Sequence, residues 1–174
     1  MKQYHYSVDA VLNDESRRTV YNSKGEAVGY VQRIYSNKLK RLLDHHFDFR
    51  YFLMYESEVY GKTYEIKKIF RRGKLWFEGR FAGNKDKTII TYDNWRIGIP
   101  ELKIIEKNLL IKIEKEFEVP SRFYEEDVCI ATWQATFDEP SQLFSIVLQI
   151  SDDATVQDPA YYIAICQATL FIGA

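Results

Sequence analysis

Apolar and polar side chains alternate in short runs along most of this chain, and Gly, Asn, Asp or Ser closes many of the runs. A period of two marks strands that bury one face. The pattern predicts a first strand over residues 4–12, ended by Asn13-Asp14-Glu15-Ser16. Residues 19–21 and 27–35 flank Asn22-Ser23-Lys24-Gly25, a hairpin turn with Gly25 at the positive-φ position. Strands resume over 47–57, 63–71, 75–81 and 88–92, then over 95–99, 102–106 and 109–117. In the last of these, Leu109, Ile111 and Ile113 share one face while Lys112 and Glu114 take the other. Two long strands, 127–137 and 142–150, meet at Asp138-Glu139-Pro140-Ser141. About a dozen short strands at ~8–12-residue spacing indicate a sandwich or a barrel.

Two segments break the alternation. Between Ser36 and His46, Leu39, Leu42 and Leu43 fall at helical spacing among Lys38, Lys40 and Arg41, which predicts a short basic amphipathic helix or turn. At the other end, Gln157-Asp158-Pro159 precedes Ala160 to Ile172, a run without a charge. Asp158 suits a helix N-cap, and Pro159 suits the first helical position, where no N–H is needed. Apolar residues on every face require burial on every face. At ~1.5 Å per residue this helix is about 24 Å long, short of a bilayer core of about 30 Å. It therefore reads as a core helix rather than a membrane span, with Ile163, Ala164, Cys166, Ala168 and Leu170 inside a surrounding sheet.

Composition supports one domain over residues 1–174. Hydrophobic residues make up 46% of the chain, enough for a sizeable core, and no repeat, linker or low-complexity tract divides it. Cys129 and Cys166 lie among apolar neighbours and are expected to be buried free thiols, too few for a disulfide framework or a zinc site. The opening residues lack the apolar stretch of a signal peptide, which points to a cytoplasmic setting. Net charge is −1 but uneven: residues 1–75 hold 15 Lys and Arg against 9 Asp and Glu, a net +6, and the remainder carries −7. Such polarity can orient a protein toward an anionic partner, unless folding interleaves the two halves.

Two stretches carry a family likeness. Val20-Tyr21-Asn22-Ser23-Lys24-Gly25-Glu26-Ala27-Val28-Gly29-Tyr30-Val31-Gln32-Arg33 resembles a hairpin near the start of tubby C-terminal domains. Asp158-Pro159-Ala160-Tyr161-Tyr162-Ile163-Ala164-Ile165 resembles the acidic residue and apolar helix at their end. In plan the chain resembles a small bacterial-type member of the superfamily of tubby-like domains, LURP-one-related proteins and phospholipid scramblases. The resemblance implies a mainly β fold: about twelve strands in a closed or nearly closed antiparallel barrel around the hydrophobic C-terminal helix. It also implies lipid contact, since tubby domains bind phosphoinositide headgroups through surface basic residues and scramblases act on lipids. No headgroup ligand transfers residue by residue, and the calcium-binding stretch and membrane-inserted segment of scramblases are not evident.

The chemistry-bearing residues are few. Lys38, Lys40 and Arg41 precede a strand pair bearing Lys67, Lys68, Arg71, Arg72 and Lys74, and if they converge they could hold phosphate groups. Leu39, Leu42 and Leu43 could add shallow apolar insertion. Tyr64, Phe70 and Trp76 lie nearby for base stacking, but the net acidity and lack of a motif argue against nucleic acid. Asp44-His45-His46-Phe47-Asp48 is the one tight His/Asp group, yet adjacent histidines diverge on a strand or helix, so a metal site is not expected. Glu125-Glu126-Asp127 and Asp152-Asp153 read as solvated turns. No nucleophile elbow, Gly-rich phosphate loop or EF-hand spacing is present. The expected role is a non-enzymatic binding or regulatory module for anionic lipid headgroups, peripheral at the inner membrane surface. The alternative is a structural protein–protein interaction domain with no small-molecule ligand. No catalytic residue, metal or cofactor is expected.

Overall fold

The alternation persists in three dimensions. The structure is a computed structural model that describes residues 1–10, 15–47, 52–71, 74–93, 101–106, 109–115, 120–170 and 172. Five strands come from the first half: β1 Lys2–Asp9, β2 Arg18–Asn22, β3 Ala27–Ile34, β4 Met54–Val59 and β5 Lys62–Arg71. Helix α1, Lys38–Phe47, lies between β3 and β4. Seven more strands follow: β6 Lys74–Phe81, β7 Thr88–Asp93, β8 Glu101–Glu106, β9 Leu109–Glu114, β10 Ser121–Glu125, β11 Val128–Asp138 and β12 Leu143–Ile150. Helix α2, Pro159–Thr169, ends the series. Every strand from β2 to β11 pairs antiparallel with its neighbours in sequence, and β1 pairs with β12 from Lys2↔Ile150 to Asp9↔Leu143. That last pairing closes a twelve-stranded barrel and leaves no open sheet edge.

Three local expectations are corrected. β10 is a strand that the alternation did not signal, because its five residues adjoin the acidic turn at Glu126, which takes a positive φ of 53°. The strand expected over 47–57 begins only at Met54, since Phe47 still belongs to α1. Cys129 is exposed rather than buried. A bulge shifts the β10–β11 register from Phe123↔Ala131 to Tyr124↔Cys129, so Ile130 turns inward and Cys129 outward. The strand expected over 95–99 lies outside the described residues.

A barrel of eight strands is filled by its own side chains; twelve open enough space for a helix of about 10–12 Å diameter. α2 occupies that space. Ile163, Ala164 and Cys166 are inaccessible to solvent, Leu170 is buried and Ala168 is partly buried. Asp158 caps the helix by accepting from the Ala160 N–H at 3.1 Å. The helix runs closest to β4 and β5, where the small Ser57 faces inward and donates its hydroxyl hydrogen to the Ala160 carbonyl. Next to Ser57, Tyr64 packs edge-on against Tyr161 at 5.1 Å. Its ring reaches over Gly79 on the neighbouring β6, where a Cβ would lie 2.2 Å from the Tyr64 hydroxyl. Across the wider side, Phe123 meets Tyr162 at 5.3 Å.

The helix is tied at its far end by polar groups. Gln167 Nε2 donates to the Tyr6 hydroxyl at 3.1 Å. Lys115, just past β9, donates to the carbonyls of Thr169 and Leu170 and lies 5.1 Å above the Trp133 ring. A cation at a helix C-terminus meets the negative end of the dipole. Lys115 continues the inward series Ile111, Ile113, so alternation places a charge inside the barrel. Burial pushes its amine down to about 8.

Two outcomes test this core. Ala164→Asp puts an unpaired carboxylate against the barrel wall and is expected to destabilise by about 4 kcal/mol or more. An unchanged melting temperature in soluble Ala164→Asp protein would remove the threaded helix. The second outcome concerns pH. Lys115 binds its proton less readily when folded, so stability is expected to rise from about pH 8 toward 10.5. Buried Tyr6 and Tyr161 hold their protons above the usual 10.0, chiefly through burial, so stability falls again beyond that value. Urea unfolding across this range should show the rise, and Lys115→Met should flatten it.

Candidate functional site

Helix α1 starts where Asn37 accepts from the Lys40 N–H at 2.8 Å. The face turned toward the barrel carries Asp44, which is buried and accepts the Phe52 N–H at 2.7 Å. This contact fastens the chain beyond the helix back to it. Tyr35 packs beside it, and burial with the Asp44 carboxylate lifts its phenol to about 12. The apolar stripe points the other way: Leu39 is 64% exposed, Leu42 62% and Leu43 37%. An amphipathic helix normally turns its leucines to the core. Here they face solvent, and the exposed Phe52 ring extends them, with the Lys40 ammonium 5.5 Å from its centre. Phe52 was missed as a surface residue because residues 47–57 read as strand; the aromatic run through Phe47, Phe49 and Phe52 was its one signal.

The basic residues gather only in part. Lys38, Lys40 and Arg41 share α1. Lys38 has no carboxylate partner among the described residues, Lys40 donates to the Ser36 hydroxyl, and Arg41 pairs with Glu15 at 3.3 Å. Register puts Lys67 opposite Met54, the first residue of β4, so the end of β5 lies at the α1 end of the barrel. Lys67 faces outward and pairs with Glu78 at 3.2 Å, a carboxylate also held by Lys87. Burial raises the Glu78 carboxyl, yet the two ammonium groups together hold it below its ordinary range. Lys68 sits at an inward register position opposite Phe77. Arg71 ends β5 at the same rim, and Arg72 lies outside the described residues.

Sequential strand order also settles where the charge asymmetry goes. β1 to β5 form one contiguous arc of the barrel and β6 to β12 the other. The halves are not interleaved. Among the described residues, the basic excess carried by β1 to β5 and α1 therefore stays on one side of the barrel.

Among the described residues no group of His, Cys, Asp or Glu converges on a metal position, and no helix is long and apolar enough to cross a membrane. Asp44 is buried while His45 and His46 are exposed, so α1 separates the members of that cluster. The interior is occupied by α2, which leaves the two mouths and the outer wall as binding surfaces.

A family model described as Tubby C-terminal like domain matches residues 4–172. No curated protein and no solved structure matches the chain. The match starts in β1 and ends beyond α2, so it covers the closing strand pair, the whole barrel and the threaded helix. On that span and that architecture, the chain belongs to the Tubby C-terminal like domain family.

Proposed function

We propose that this domain is a non-enzymatic module that docks on anionic lipid headgroups at the inner face of a membrane. The observation that carries the reading is the inverted helix α1: Leu39, Leu42 and Leu43 stand in solvent beside Lys38, Lys40 and Arg41. Exposed leucines enter the headgroup–acyl boundary, while lysine and arginine meet lipid phosphates. Lys67, Lys68 and Arg71 stand on β5 toward the same end of the sheet and support the reading. Each basic group near an acidic surface contributes about 1 kcal/mol. Family membership supports a lipid-directed, non-enzymatic role.

A second reading, a protein–protein interaction domain, has one feature in its favour. Ile89, Ile105 and Leu110 are paired in register across β7, β8 and β9, and Ile105 and Leu110 are exposed. This row lies on the arc opposite α1, so the two readings are separable by mutation.

Flotation with acidic and neutral vesicles tests the first reading. Binding to acidic vesicles is expected at low salt and should weaken as salt shortens the screening length. Replacing Lys38, Lys40 and Arg41 by Gln should lower the partition coefficient about 100-fold, from about 1 kcal/mol per charge. Leu39→Ser with Leu42→Ser should lower it about tenfold or more without loss of the melting transition. Equal binding to neutral vesicles, or none to acidic ones, would sink the proposal. Self-association that an Ile105→Lys, Leu110→Lys protein loses would favour the second reading.

A further inference from the structure

The opposite mouth, where α2 enters the barrel, holds a basin of about 1190 Å³. Its floor is apolar, with Tyr4, Val59, Phe81, Val156 and Pro159. Its rim carries Lys2, Lys24 and Lys62, which come from β1, the β2–β3 turn and β5. Small-molecule sites are usually concave, mostly apolar and furnished with a few polar groups that set orientation. This volume exceeds what a drug-sized ligand needs, about 300–1,000 Å³.

Charge at this mouth is not balanced locally. Asp158 is the one carboxylate in the lining among the described residues, and it already accepts from the Ala160 N–H and pairs with Lys62 at 3.1 Å. The carboxylates just outside are also engaged. Asp152 holds the chain-start amine at 2.5 Å, and Glu26 accepts from Asn22 Nδ2 at 2.7 Å. The Lys2 ammonium instead donates to a neutral amide oxygen, that of Gln157, at 2.9 Å, though Asp152 lies within its field. Lys24 has no carboxylate partner among the described residues. An anion would therefore meet two ammonium groups that no pairing contact neutralises. The helix N-terminus adds little, because Asp158 already fills it.

An independent feature points to the ligand's other half. The β4–β5 turn is Tyr60-Gly61, with φ of 52° and 76°. Gly accepts that geometry freely, and Asn tolerates it, but for a bulky aromatic it is an outlier. Strained residues of this kind concentrate at binding sites and ligand clamps. Tyr60 is nevertheless 61% exposed, and its ring borders the basin. Its hydroxyl lies near that of Tyr4, whose phenol is raised first by burial and then by Tyr60. An aromatic group held in a costly conformation with most of its surface in water is placed to receive a flat or apolar body.

We propose that this basin binds a small anion with an aromatic body: the phosphate or carboxylate between Lys2 and Lys24, with Lys62 close by, and the ring against Tyr60. The site lies at the opposite mouth from α1 and stands independently of lipid docking.

Heteronuclear NMR on the full chain tests it, with phenyl phosphate, phenylacetate, inorganic phosphate and phenol as probes. Saturable shifts are expected at Lys24, Tyr60, Gly61 and Gln157 for the aromatic anions, which bind about tenfold or more tighter than inorganic phosphate or phenol. The phenyl phosphate and phenylacetate arms distinguish phosphate from carboxylate as the preferred group. Lys2→Gln with Lys24→Gln should weaken the better aromatic anion about tenfold. Tyr60→Asn is the discriminating variant: it relieves the strained turn, so the melting temperature should hold or rise while aromatic-anion affinity falls about fivefold or more. The proposal is overturned if neither aromatic anion shifts the basin at about 10 mM, an affinity at the weak limit of specific binding. It is equally overturned if both variants bind as the parent does. Acidic-vesicle binding is expected to survive both variants, so failure here leaves the lipid reading to its own test.

Discussion

A helix that is apolar on every face cannot rest on a sheet; it has to be surrounded. That requirement governs the rest of this molecule. Tyr161, Tyr162, Ile163, Ala164 and Ile165 together present side chains around the whole circumference of α2, and each is fully inaccessible. Burying one such side chain is worth about 1.5–3 kcal/mol, so the helix and the barrel wall stabilise each other over their full length of contact. Twelve strands give a tube wide enough to hold the helix, and the β1–β12 pairing shuts it.

Enclosure brings an obligation for polar atoms, because a buried donor or acceptor without a partner costs about 1–3 kcal/mol. The barrel meets it for backbone groups at both ends of the helix, while the Tyr161 and Tyr162 hydroxyls stay buried without a partner among the described residues. Asp158 and Ser57 attend to the first turn, one to an amide and the other to a carbonyl. Lys115 attends to the last, supplying a donor to carbonyls that have no intrahelical partner. A buried ammonium is tolerated there because carbonyl dipoles and the Trp133 ring replace part of its hydration.

Because the helix consumes the interior, binding is displaced to the two mouths and the outer wall. The mouths differ in chemistry. At one, α1 offers leucines and cations on a convex surface, a form suited to a lipid interface. At the other, Lys2, Lys24 and Lys62 ring a concave, aromatic-floored basin of a size suited to a small molecule. The strand order contributes as well. Since neighbours in sequence are neighbours in the barrel, the basic first half of the chain stays together on one arc instead of being diluted around the circumference.

The sequence by itself determined most of the strands, though not β10 or the start of β4, and with them the closing helix, its Asp158-Pro159 start and the positive φ of Gly25, since each depends on side chains a few residues apart. The same local logic marked α1 as amphipathic through Leu39, Leu42 and Leu43. It could not say which way those leucines would face, because that depends on what the rest of the barrel offers for them to pack against. Only the tertiary structure decided that Cys129 turns outward, because a bulge in the pairing with β10 resets its alternation. Only there does Lys115 become a partner of the last turn of α2, some fifty-four positions on in the chain. The basin likewise draws Lys2, Lys24, Lys62 and Asp158 from four distant segments. Periodicity is a property of neighbours along the chain, whereas register and closure arise from pairings between strands far apart in it; the cluster on α1 is of the first kind and the basin of the second.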